Sequence, residues 1–215
     1  MNDRKRTKEP AAWKMWLFPR MIREYWVDLV VMNILFVITC LPVITIPAAM
    51  MCQCSLIYKM QKDETVRIIR DYFKEFCKMF PRSFRPGCWA VIGLGLCAVC
   101  LICLEYVVDL SMAATVAVLL VLMLLVYGVF SLCQYLFPLS AILDLPADVI
   151  FRNALILSLS EVGANVGSLI CILVLNLLVV VTSPYTLPVY VVIHFSLWAL
   201  ISMCFGAKGI GKCIL

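Results

Sequence analysis

Three cysteines, Cys97, Cys100 and Cys103, repeat at the CxxC spacing that metal and redox sites use. On a helix, steps of three residues set them roughly along one face. Metal ligation needs thiolates, which a low-dielectric slab opposes, and no His or acidic residue lies in the same run. They read as small apolar packing residues of a reduced protein. Most of the other cysteines also sit inside apolar runs (Cys40, Cys52, Cys54, Cys133, Cys171 and Cys204), unlike the disulfide framework of a small secreted domain.

The ionisable residues offer little more. Glu105 and Asp109, four apart at a helix end, have the chemistry to bind a cation or act as an acid/base pair, but lack a third ligand and read as solvated loop carboxylates. Asp28 stands at the mouth of the first apolar run, close to Arg23, and reads as an interface residue. His194 is the single histidine and lies in the last apolar run, where hydrogen bonding to a neighbouring helix is the expected role. No phosphate-binding loop, HExxH, GxSxG or pair of intramembrane aspartates occurs, and nothing resembles a selectivity filter. The expectation is a non-enzymatic protein without cofactor or metal, and without a nucleic-acid partner. Asn33, Gln53, Gln134, Asn165 and Asn176 remain as neutral groups suited to hydrogen bonds between helices, worth roughly 1 kcal/mol each. A transporter or channel would need Asn33, Gln53, Asn176 and His194 to converge on one cavity.

The elements that must position these residues follow from composition. The 215 residues are 64% hydrophobic and 14% charged, with a mean hydropathy of +1.02. Soluble domains are nearer half apolar and about a quarter charged. A chain of this length cannot hide so much apolar surface from water, so the class is an all-α polytopic membrane protein. The start, "MNDRKRTKEPAAWKMWLFPR", has a long charged lead but no short apolar core ending in small residues, so the first span is expected to stay as an anchor.

Apolar runs predict spans at about 26–41, 47–60, 88–104, 112–136, 166–182 and 188–205, preceded by an interfacial N-terminal segment, 1–25, rich in Trp and basic residues. All 18 Lys and Arg fall in four places: seven from Arg4 to Arg23, eight from Lys59 to Arg85, Arg152 alone, and Lys208 with Lys212. The breaks at Glu105–Asp109 and "SPYTLP" hold none. By the positive-inside rule the four basic places are cytoplasmic, both termini included, and the two breaks face outward.

Both flanks of 26–58 are therefore cytoplasmic, and the chain must enter and return. Asn33 precedes the turn "LPVITIP", in which Pro42 ends one helix and Pro47 begins the next, with Thr45 between them. Two full spans are predicted; because both are short, a partly re-entrant pair is the alternative. The count is six spans in three hairpins, alternatively five. "ETVRIIRDYFKEFCKMFPRSF" predicts an amphipathic cytoplasmic helix over 64–80. Phe73, Phe76 and Phe80 form its aromatic stripe, and Arg67, Arg70, Lys74 and Lys78 its basic faces, for contact with the inner leaflet or with a partner. "LPADVIFRNALILSL" predicts a short helix near the membrane, and "GANVG" a close-packing face on the helix that follows.

Several of these pieces, in order along 25–165, resemble the YesL family of bacterial integral membrane proteins, whose molecular role is not established. They are Asn33 with "LPVITIPA", then "LIYKMQKDETVRIIRDYFKEFCKMFPRSF", then "YLFPLSAILDLPADVIFRNALILSL". Family members often carry Gly before the second proline of the turn; Ile46 here makes it stiffer. The resemblance implies a bacterial plasma-membrane protein that assists a carbohydrate ABC importer or a sugar-sensing system, with an ABC permease or a membrane sensor kinase as partner.

Overall fold

The structure, a computed structural model, describes residues 17–62, 66–106, 112–182 and 187–214. They form seven helices: α1 (Leu17–Thr39), α2 (Ile46–Gln61), α3 (Ile68–Tyr106), α4 (Met112–Ile142), α5 (Ala147–Ser160), α6 (Val162–Thr182) and α7 (Leu187–Ile214). A 3-10 turn, Val43–Thr45, links α1 to α2, and no strand occurs among the described residues. Segments Val43–Gln61, Ile68–Ile102 and Thr115–Ile142 are long and apolar enough to cross a membrane. The pair Ala147–Ser160 and Val162–Leu178, bent by 84°, makes a fourth if it counts as one span. The chain is an all-α membrane protein. By length and composition it has three or four spanning segments among the described residues, fewer than the predicted six. α1 is not among them, since Arg20, Arg23, Glu24 and Asp28 occupy its first half. The helix also breaks at Tyr25 (φ −118°, ψ 23°).

The chain reverses after α1. Asn33 and Gln53 are twenty residues apart, about 30 Å on one straight helix, yet both hydrogen-bond Ser196 of α7. The reversal is built by the turn residues. Thr45 N–H donates to the Pro42 carbonyl, and the Thr45 hydroxyl lies between the carbonyls of Thr39 and Pro42. It therefore satisfies a carbonyl that the end of α1 leaves without a helical donor. Pro47, at the first turn of α2, gives up an N–H that would have had no partner there.

α2 is buried on every side from Ala48 through Ile57, its polar Gln53 and Ser55 included. It forms the axis of the bundle, with α1, α3, α4 and α7 packed around it. The amphipathic helix predicted at 64–80 is not a separate element. It is the first part of α3, which continues through Pro81 and Pro86 into the stretch predicted as a span at 88–104. Each proline removes one helical donor, to the carbonyls of Cys77 and Arg82, and neither ends the helix. At 39 residues α3 is about 58 Å long, nearly twice a hydrocarbon core.

The α1–α2 turn meets α3 at its midpoint. A Cβ on Gly87 would stand 2.6 Å from Cγ of Pro47, so only glycine permits this approach. Residues 88–102 of α3 and the facing half of α4 run on past the turn with mostly exposed apolar side chains. The bundle thus has a packed half around α2 and a sparse half beyond it. "GANVG" is used at one end only: Gly167 packs on the Phe205 ring, while nothing lies within 4 Å of a Cβ at Gly163.

Candidate functional site

Around α2 the packed half holds a set of buried polar contacts. Asn33, fully buried on α1, accepts the backbone N–H groups of Phe195 (3.0 Å) and Ser196 (3.2 Å) through one side-chain oxygen. Gln53 on α2 donates to the Ser196 hydroxyl at 3.4 Å. On the opposite side, Tyr72 of α3 meets the Thr39 hydroxyl at 2.8 Å. Thr39 spends its own proton on the carbonyls of Leu35 and Phe36, so Tyr72 is the donor. Glu75 faces α2 from α3, nearly buried, and accepts from Ser55 (3.2 Å) and Lys59 (2.6 Å). These groups join four helices, α1, α2, α3 and α7.

A cleft of about 470 Å³ lies between the turn, α2, α3, α4 and α7. Val43, Met50, Leu94, Val126, Phe130 and Trp198 give it an apolar wall, and Gln134 brings an amide to it. Gln134 belongs to a polar row on α4, with Tyr127, Ser131 and Tyr135, each carrying a buried atom without a protein partner. A smaller cleft of about 190 Å³ lies between α3 and α5, where Arg82 and Arg85 are paired with Asp144 and Asp148.

The predicted residues fall into separate places. Asn33, Pro42, Thr45 and Pro47 all act in the reversal or its anchoring to α7. Phe73 is exposed; Phe76 and Phe80 are half-buried in a ladder of rings from Tyr72 to Phe84 with centroid separations of 5.4–6.3 Å. The buried stripe of this helix is instead Ile68, Tyr72, Glu75 and Met79. Periodicity pointed to the aromatic face, and a charged residue at the inward position gave no apolar signal. Arg67, Arg70, Lys74 and Lys78 are exposed, and the first two line an open groove with Asp28 and Phe73.

Asn176 and His194 do not join Asn33 and Gln53. They line a separate space of about 10 Å³ between α6 and α7, where the His194 ring sits against Phe195 and Trp198. Among the described residues every cysteine is a free thiol, and no three His, Cys, Asp or Glu side chains gather as a metal site. The side chains of Cys103 and Glu105, and all of Asp109, lie outside the described residues.

Neither a curated protein nor a solved structure matches the chain. Residues 29–106, which run from α1 through the turn and α2 to the end of α3, match the model of a family described as "Protein of unknown function, DUF624".

Proposed function

We propose that the chain is a non-enzymatic accessory protein of the bacterial plasma membrane. In this reading it is of the YesL type, has both termini in the cytoplasm, and lies against the membrane domain of a carbohydrate importer or a sugar sensor. The observation that carries this reading is the separation of the polar residues that a transport route would need. Asn33 and Gln53 meet on one side of α7, and Asn176 and His194 line another space. α2, which carries Gln53, is buried along its length, a solid core rather than a pathway. What the protein offers to another molecule is surface: the exposed basic residues at the start of α3, Phe73 beside them, and the apolar sides of α3 and α4. The link to sugar uptake rests on the resemblance alone.

The test is affinity purification of the tagged full chain from native membranes in mild detergent. A permease or sensor kinase recovered in stoichiometric amount is the expected result. Phe73→Ala should reduce that recovery without unfolding the chain, since the residue is about half exposed and outside the buried core. Solute flux through proteoliposomes of the purified chain alone would overturn the accessory reading in favour of a small transporter or channel.

A further inference from the structure

The wall of the large cleft is hydrocarbon nearly throughout, and its volume of about 470 Å³ is within the usual range for a small-ligand site. Val91, Leu94 and Val126 line it and are also among the exposed apolar residues of α3 and α4. The cleft is therefore continuous with the surface that a bilayer would cover. One feature of the wall does not suit an empty greasy slot. Gln134 is only 2% exposed; its Oε1 accepts from Ser168 at 2.6 Å, and its Nε2 has no protein partner. A buried amide donor without an acceptor is costly and calls for an occupant that supplies one.

We propose that the cleft binds one hydrocarbon chain of a bilayer phospholipid, with an ester carbonyl accepting from Gln134 Nε2. A lipid enters sideways from the bilayer, through the apolar mouth between α3 and α4. No charged side chain lines the cleft, so a free carboxylate or another ionised ligand would be buried without a counterion. An ester carbonyl is neutral and matches a single amide donor. The remainder of the chain needs only the apolar wall.

The experiment uses the full-length protein, taken from membranes into detergent and examined by native mass spectrometry before and after incubation with diacyl phosphatidylcholine. The expected result is one phospholipid per chain surviving detergent exchange. Leu94→Trp, which fills the exposed mouth, should abolish retention while helicity and melting stay as in the wild type. A dialkyl ether lipid lacks the carbonyl and should be retained about fivefold less well by the wild type, the equivalent of one hydrogen bond between helices in a membrane. Gln134→Leu should bind ester and ether lipids alike. Equal retention of lipid by the wild type and Leu94→Trp would overturn the site. Equal retention of ester and ether lipids by the wild type would overturn the role of Gln134. A dimer mass without lipid would assign the cleft to a second copy of the chain instead. The ether-lipid comparison requires no substitution and decides the matter even if Gln134→Leu fails to fold.

Discussion

At the scale of single residues, the polar groups around α2 act as fasteners, and each has a distinct failure mode. The Thr45 hydroxyl serves carbonyls at both ends of the turn. Thr45→Val keeps the shape and removes the donor, so it should cost about 1–3 kcal/mol in detergent unfolding, whereas Thr45→Ser should be nearly neutral. The Lys59–Glu75 contact is different in kind, because Glu75 is nearly buried and Lys59 remains about a third exposed. Lys59→Met leaves the carboxylate with Ser55 alone and should lower stability by about 2–4 kcal/mol. Adding Glu75→Leu removes the stranded charge and should recover most of that loss. A double variant no more stable than Lys59→Met would mean that the pair is incidental. Asn33 and Gln53 were legible in the sequence as inter-helix hydrogen-bonding groups. Their shared partner Ser196 was not, because periodicity within one segment carries no information on which distant helix it will meet.

At the scale of elements, prolines have opposite consequences in two places. Pro42 and Pro47 flank a true reversal, which the sequence announces through their spacing and through the basic flanks on either side. Pro81 and Pro86 have the same spacing and fall between the predicted helix at 64–80 and the predicted span at 88–104, yet α3 runs through both. The difference lies in packing: α3 lies along the buried axis α2, and tertiary contact overrides local propensity. Gly87 permits the closest approach. Gly87→Ala would push a Cβ into the rigid Pro47 ring and should cost about 1–3 kcal/mol, while Gly95→Ala, in open space, should cost nothing from packing. The turn's position at the middle of α3 also bears on whether α1 and α2 cross the membrane. Leu41, Val43 and Ile44 are 80%, 75% and 64% exposed, a tip suited to hydrocarbon rather than to water. A re-entrant hairpin is the arrangement these features favour. In a background with the exposed Cys77 and Cys88 replaced by serine, Val43→Cys should resist a membrane-impermeant maleimide from either side of intact vesicles. Labelling from the outer side would restore two full spans.

At the scale of the whole molecule, charge and packing divide the bundle the same way. Arg20, Arg23, Lys59, Lys62 and the basic residues from Arg67 to Arg85 stand on α1, α2 and the first half of α3, in the packed half. Arg152 lies on α5, whose Phe151 stacks on Trp89 near the middle of α3 at 4.6 Å. Residues 88–106 and 112–142 contain no Lys or Arg. Translocating a cluster of basic residues is strongly disfavoured, whereas an apolar half without charges inserts freely. The packed half should therefore sit at the cytoplasmic side, held there by its basic rim, with the sparse half of α3 and α4 in the hydrocarbon. Charge near an anionic leaflet contributes about 1 kcal/mol per residue and is screened by salt, while apolar burial is not. Replacing Arg67, Arg70, Lys74 and Lys78 by glutamine should thus loosen the start of α3 from anionic vesicles in a salt-dependent way. It should leave the bundle folded, because all four side chains are exposed. Reporter fusions or impermeant labels at positions 62 and 152 should report the same side, the cytoplasm. Position 62 reached from outside would separate the basic rim from the cytoplasmic face and invert this arrangement of the two halves.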